Sequence, residues 1–345
     1  MRVFFRVMLF LILENFAIAN NSFPLIIMGG VWSPESKPTY SNLSRVCDIG
    51  FTHIFSYITE PNVSESRSVA TQVNVSKQFS DVVKKNCPQL GLVMGIPSEW
   101  IYNERFDLIN DYIESLHSNN VKVDYWLSDE VINSMMNSGV QLTDAVERAS
   151  YVMEFVESIS NTKYIWIEPG NYGNKYSNIL SYLGNIPFGI KSYDQYIVSS
   201  YGSISMALDK FNLLNSTLVN LNVKSNVFPV CDISKGKDSA HSYTQNDLDV
   251  ILVSLLMNHA SGFVFWEERW TDEHTLKLIR NSLGLINKIQ EEGVANFTSF
   301  YNYPMIWKFN QKFIVINNTE SIVNVDKYIS KHNAKLLPGQ IDICI

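Results

Sequence analysis

The chain has 345 residues and a formal net charge of −7, with 46% hydrophobic, 12% aromatic and only 18% charged residues. Hydrophobicity at that level with so little charge excludes a disordered chain. The acidic balance lacks the basic footprint that nucleic-acid binding requires, and the length suits one α/β barrel or two smaller domains.

Residues 1–19 read as a secretory signal. Arg2 and Arg6 give a basic start, Val7–Leu13 is an unbroken apolar run, and Ala17-Ile18-Ala19 fits the small-x-small cleavage rule. The run is shorter than the ~20 residues of a membrane span, and no later stretch is longer. Secretion or lumenal residence is therefore expected, with no membrane span in the mature chain. Asn-x-Ser/Thr sequons at Asn20, Asn42, Asn62, Asn74, Asn215, Asn296 and Asn317 agree with that compartment. Four cysteines (Cys47, Cys87, Cys231, Cys344) form an even set without any Cys-x-x-Cys. Cys47 and Cys87 fall in the first two predicted helices and are the expected bridge; four buried thiols are the alternative.

Apolar runs of strand length then recur: Leu25–Val31, Phe51–Tyr57, Gly91–Ile96, Val123–Leu127, Tyr164–Ile167, Tyr196–Ser199, Val227–Val230 and Gly262–Trp266. Their starts lie about 26 to 41 residues apart, the length of a strand–loop–helix–loop unit. Near-continuous apolar strands alternating with amphipathic segments imply a parallel sheet covered by helices. Eight units predict a closed (β/α)8 barrel, a TIM barrel, over residues 20–292. Among the helices, Asp144–Ile159 puts Ala145, Ala149, Val152, Met153, Val156 and Ile159 on one stripe, with Thr143 as N-cap. Asn246–His259 and His274–Ile289 have the same periodicity. After Glu292 the pattern changes to short strands at Phe297–Tyr303, Met305–Phe309 and Phe313–Ile316, with Asn317-Asn318 as a turn. Residues 293–345 are thus expected to form a small β appendage packed on the barrel.

A barrel concentrates function at the carboxyl ends of its strands. Here those ends carry Trp32; Tyr57 and Glu60; Glu99 and Trp100; Trp126-Leu127-Ser128-Asp129-Glu130; Trp166-Ile167-Glu168 and Tyr172; Tyr201; Asp232; and Trp266-Glu267 with Trp270. With six histidines in all, and His53 alone in a predicted strand, the clustered ligands of a metal hydrolase are missing. No lysine stands at a strand end for Schiff-base chemistry. Neither a metal nor a cofactor is called for. Carboxylates remain, and two of them flanking an acetal bond, one protonated and one ionised, hydrolyse glycosides.

The aromatics suit the same substrate, because sugar C–H faces stack on indole and phenol rings while the hydroxyls seek carboxylates and amides. Trp32, Tyr57, Asp129, Trp126, Trp166, Tyr172, Tyr201, Trp266 and Trp270 are the candidate substrate contacts. For Trp126 and Trp166 the alternative is ring packing inside the barrel or beneath a helix. Strand alternation, read with Tyr125, Leu127, Ile165 and Ile167 toward the helices, turns Trp126, Ser128, Glu130, Tyr164, Trp166 and Glu168 inward. Glu130 and Glu168 then converge, and their repulsion beside indole rings raises one of them toward neutral pH. Glu60 and Glu99 are expected on solvated rim loops, and His53 as a satisfied core histidine.

The Trp126–Glu130 segment resembles the Asn-Glu or Asp-Glu-Pro end of strand 4 in clan A glycoside hydrolases. Gly50–Tyr57 and Gly262–Trp266 are also similar to units of such barrels. The resemblance implies Glu130 as acid/base and Asp232, at strand 7, as nucleophile. Three departures stand out: Asp129 replaces Asn, Val131 replaces Pro, and strand 7 offers Asp for Glu. A shorter side chain at that point leaves Glu168 or Glu267 as further candidates, or implies inversion. The expected activity is glycoside hydrolysis of an oligo- or polysaccharide; the alternative is an inactive barrel that binds glycans or another extracellular partner.

Overall fold

A computed structural model describes residues 23–29, 43–60, 67–168, 189–196, 227–232, 244–267, 273–302, 304–319, 321–329, 334–338 and 340–345. Eight parallel strands follow one another round a closed barrel: β1 (Leu25–Gly29), β2 (His53–Ser56), β3 (Gly91–Gly95), β4 (Tyr125–Asp129), β5 (Tyr164–Glu168), β6 (Ile190–Tyr196), β7 (Val227–Asp232) and β8 (Phe263–Glu267). Closure is made by β1 on β8, with Ile27 beside Phe265 and Met28 beside Trp266. The described helices are α1 (Leu43–Cys47), α2 (Val69–Asn86), α3 (Ser98–Tyr102), α4 (Phe106–Ser118), α5 (Val131–Asn137), α6 (Leu142–Ser160), α7 (Gln245–Met257) and α8 (Glu273–Glu292). This is the (β/α)8 barrel that the sequence implies.

Seven strands lie within a few residues of the apolar runs that predict them. The sixth is displaced: β6 runs Ile190–Tyr196, ahead of the expected Tyr196–Ser199. Its sequence, Ile-Lys-Ser-Tyr-Asp-Gln-Tyr, is too polar to announce a buried strand. Pairing decides it instead, with Ile165 of β5 beside Ile190 and Val227 of β7 beside Lys191. Tyr201, expected just beyond this strand, lies outside the described residues.

The stripe on α6 buries Ala145, Ala149, Val152, Met153 and Val156 as expected, but Ile159 is exposed and Gln141, not Thr143, precedes the first turn. Helix α7 starts in a capping box, where Thr244 and Asp247 each accept the other's backbone N–H. Cys47 at the end of α1 is disulfide-bonded to Cys87 at the end of α2, as expected, with Cα atoms 5.3 Å apart.

The strands divide two cores. Ile26, Met28, Phe55, Val93, Leu127, Ile165, Ile167, Phe228, Val230 and Val264 fill the barrel interior, joined by half-buried Tyr57, Tyr125 and Trp266. The other faces, including Trp126, Tyr164, Trp166, Phe263 and Phe265, pack against the helices. The expected alternation in β4 and β5 is thus reversed. A parallel strand covered on both faces is apolar on both, so hydropathy carries no sign for inward or outward. Packing decides: the interior takes mainly aliphatic side chains, with Phe55 and Phe228 among them, while Trp126 and Trp166 fill the space under the helices, where Trp126 meets Tyr112 edge-on at 5.8 Å.

After α8, β9 (Thr298–Asn302), β10 (Met305–Phe309), β11 (Lys312–Ile316) and β14 (Ile341–Cys344) form a sheet in the order β14-β11-β10-β9. Strands β12 (Val323–Asn324) and β13 (Lys335–Leu336) pair beside it. Phe297, Met305, Trp307, Ile314 and Ile316 belong to the same buried cluster as the barrel's helix layer. A Lys312–Glu292 ion pair and the Ile341 N–H donating to Asn246 Oδ1 (3.3 Å) add polar ties to α8 and α7.

Candidate active site

Four of the expected carboxyl groups, those of Glu60, Asp129, Glu130 and Glu168, gather at the end of β4. Strand β3 ends its pairing at Gly95, opposite Leu127. The Asp129 N–H on that side therefore finds no strand, and donates to Glu60 Oε1 at 3.0 Å. Glu60 reaches there because the segment after β2 crosses the end of β3. A Cβ on Gly95 would lie 2.5 Å from Glu60 Cβ and 2.9 Å from the Thr59 carbonyl oxygen, so only glycine permits the crossing. The same segment supplies Tyr57, whose hydroxyl donates to Asp129 Oδ2 at 2.6 Å. Asp129 is thus held at both its backbone and its carboxyl group, on the side of the strand that faces the interior.

Glu130 follows in the left-handed region, with φ 51° and ψ 33°. A non-glycine residue there costs about 1–2 kcal/mol, and the neighbourhood offsets it. Its N–H donates to the Ile167 carbonyl (2.9 Å), its own carbonyl accepts from Ser134 N–H (2.9 Å), and its Oε2 accepts from Asn133 Nδ2 (2.9 Å). Glu168 secures the next turn. Its Oε1 accepts from the Trp166 indole N–H (2.7 Å) and Ile132 N–H (2.8 Å), and its Oε2 from Asn133 N–H (3.2 Å). It therefore caps α5 from the neighbouring strand, and Asn133 links its carboxylate to that of Glu130.

These groups share little solvent. Glu168 is fully buried, and burial pushes it up to about 8. The Glu130 charge adds to that rise, while the indole and two backbone N–H groups oppose it. Burial likewise raises half-buried Asp129 to about 7, with the Tyr57 hydroxyl opposing and Glu130 reinforcing. Glu60 is 5% exposed and stands well above the carboxylate range, first through burial and then through the charge of Asp129. Its Oε2 is enclosed, and the Asp129 N–H and the Ser98 hydroxyl oppose the rise. Desolvation dominates all three, as it does where carboxyl groups are packed rather than ion-paired.

The expected residues fall into three groups. Tyr57, Asp129 and Trp266 line the interior at the carboxyl ends of β2, β4 and β8, and Glu130 adjoins them. Glu168, Trp126 and Trp166 lie on the helix-facing side, so their expected inward orientation is corrected; both indoles are buried to 2% exposure or less. Asp232 and Glu267 end β7 and β8, with Asp232 level with Trp266 and Glu267 level with Gly29; their side chains lie outside the described residues. Trp32, Tyr172, Tyr201 and Trp270 are outside them too.

Glu60 corrects the expectation of a solvated rim, and Glu99 does so in part, being half-buried with its Oε2 enclosed. The signal for Glu60 was Gly95, a strand-end glycine that marks a close backbone approach. Asn133 was legible only as the third residue after Glu130. His53 lies at the opposite end of the barrel, where its Nδ1 is 2.7 Å from Thr52 Oγ1, and burial lowers its pKa against the opposing charge of Asp124. Among the described residues no cluster of His, Cys, Asp and Glu is arranged to hold a metal, and no helix is long and apolar enough to cross a membrane.

No protein-family model matches the chain, and no curated protein does. Glycoside hydrolases recur among the similar solved structures. A xylanase from Cellvibrio japonicus is 9% identical over 76% of this chain and 98% of that one, with a TM-score of 0.49. The GH53 catalytic domain of Ignisphaera aggregans is 12% identical over 71% and 84%, with a TM-score of 0.44. A 3-keto-D-glucoside 4-epimerase from E. coli is 14% identical over 76% and 98%, again at 0.44. The barrel rests on the strand ladder itself, and the chemistry on this chain's own side chains.

Proposed function

We propose that the chain is a glycoside hydrolase whose acid chemistry is carried by Asp129 and Glu130 at the end of β4. One observation supports this above the others: adjacent half-buried carboxyl groups, at the functional end of a barrel, with Asp129 raised to about 7. Paired titrating groups pushed apart by their surroundings are how a site keeps an acid and a base at one pH. Glu130 stands where the resemblance implies the acid/base, and Asp232 where it implies the nucleophile, with Glu267 the next carboxylate. Glu168 serves as a support: with three N–H donors and no exposure, it holds the turn rather than meeting substrate. Tyr57 and Trp266 offer the ring surfaces against which a sugar stacks.

The reading includes a secreted or lumenal location, supported by the signal-like residues 1–19 and by the Cys47–Cys87 disulfide, a bond typical of oxidising compartments. The substrate would be an oligo- or polysaccharide, and no cofactor is invoked. Hydrolysis of a panel of oligosaccharides by wild type, Asp129→Asn and Glu130→Gln tests it. Each variant should lose at least ~100-fold in kcat/KM, the lower range for a general acid–base group. Binding of a glycan without turnover would replace the enzyme by the glycan-binding alternative.

A further inference from the structure

We propose that Asp129, rather than Glu130, holds the transferable proton of this site and delivers it to a glycosidic oxygen in the mouth of the barrel; the delivery step rests on the hydrolase reading above. The resemblance gives the acid role to the residue after it, so the assignment comes from this chain's own geometry. Corrected alternation puts Asp129 on the side of Leu127 and Tyr125, inside the barrel. Asp129 is half-buried as a residue, whereas Glu168 behind it is fully buried. Glu130 has turned through a left-handed backbone onto α5, where Asn133 Nδ2 binds its Oε2.

The groups facing Asp129 are suited to hold a proton in place. Tyr57 and Glu60 face it from the segment after β2, and Glu130 from its own strand end. Behind them, Ser98 of α3 adjoins Glu60, and Glu168 of β5 faces Glu130 through Asn133. Among the described residues of this cluster every titratable group is an acid or a phenol. No cation is among these described residues, and the charge of Glu130 favours the proton's retention. In the reaction the O–H bond of Asp129 breaks as the glycosidic oxygen takes the proton. The C1–O bond breaks with its electron pair leaving on that oxygen, which departs as a sugar hydroxyl. Water supplies its oxygen to the anomeric carbon, directly or after a carboxylate ester, and its surplus proton restores the acid.

The test follows the carboxyl carbon of Asp129 by NMR titration of the full chain, assigned by its disappearance in Asp129→Asn. Wild type should titrate near 7. Tyr57→Phe removes a donor to the charged form and should raise the midpoint by about one pH unit. Glu130→Gln removes a like charge and should lower it. Opposite shifts from two neighbours are a signature that a purely structural role would not give. A wild-type midpoint below about 5, the ordinary carboxylate range, overturns the proposal, and this measurement stands even if Tyr57→Phe fails to fold. Where turnover is measured, the alkaline limb of kcat/KM must move with the Asp129 midpoint in each variant that retains activity. An Asp129 midpoint near 7 without turnover on any oligosaccharide overturns the hydrolase reading, and the delivery step with it, but not the proton's place.

Discussion

Asn317 lies in a sequon, yet its surroundings assign it to the fold. It is fully buried, and its Nδ2 donates to the carbonyls of Ser321 (2.9 Å) and Leu336 (2.8 Å). Its Oδ1 accepts from the Thr319 N–H (3.0 Å) and hydroxyl (2.7 Å). A glycan on Nδ2 has no room and would remove a donor from two carbonyls. Asn74 and Asn296, by contrast, are exposed. Glycan mapping of the chain expressed through a eukaryotic secretory pathway should therefore find Asn317 bare in the folded protein while Asn74 carries sugar. Asn317→Ala should lower unfolding free energy by about 2–4 kcal/mol, since each buried group left unpaired costs roughly 1–3 kcal/mol. Chemical denaturation checks it. The sequence shows the sequon and the turn at Asn317-Asn318; which of the two Asn317 serves depends on Leu336, distant in the chain.

The turn from β4 into α5 has a linked pH dependence. Glu168 is held near 8 in the fold against an ordinary 4.5, so between those values the folded chain binds a proton that the unfolded chain has lost. Its contribution to stability is intact below about 4.5 and declines as pH rises through 8. Asp129, raised from 3.8 to about 7, acts with the same sign over its own window. Unfolding free energy measured by urea should thus slope downward with pH across this range. In Glu168→Gln the slope should be shallower, although the variant starts less stable because an amide cannot accept all three N–H groups. An unchanged slope would show that Glu168 ionises at its ordinary pH in the fold. Strand alternation alone could not have placed this residue. Both faces of β5 are apolar, and the partner that fixes Glu168 outward is the backbone of α5, two N–H groups that no side-chain pattern advertises.

Across the whole barrel, stability draws on the bridge between α1 and α2. Cys47 and Cys87 are 40 residues apart, and closing a loop of that length restricts the unfolded chain by about 4 kcal/mol on a chain-entropy account. The double variant Cys47→Ser/Cys87→Ser should therefore unfold at markedly lower denaturant with its barrel architecture, read by circular dichroism, retained. Equal midpoints would mean that native packing alone holds the two helices.

By itself the sequence determined the architecture. Eight apolar runs at regular spacing admit few arrangements other than a closed parallel barrel, because local hydropathy and unit length are both chain-local properties. It also marked the end of β4, with Asp129 and Glu130, as one of several strand ends that carry carboxyl groups. Tertiary structure alone decided which way they point. Interior and exterior of a doubly covered strand are equally apolar, so the choice between Asp129 and Glu130 waited on packing, with Leu127 turned into the lumen and Trp126 and Trp166 into the helix layer. The inclusion of Glu60 likewise waited on a backbone crossing that Gly95 permits, and the position of β6 on its pairing with β5 and β7. Each depends on contacts between residues far apart in the chain, where local sequence carries no signal.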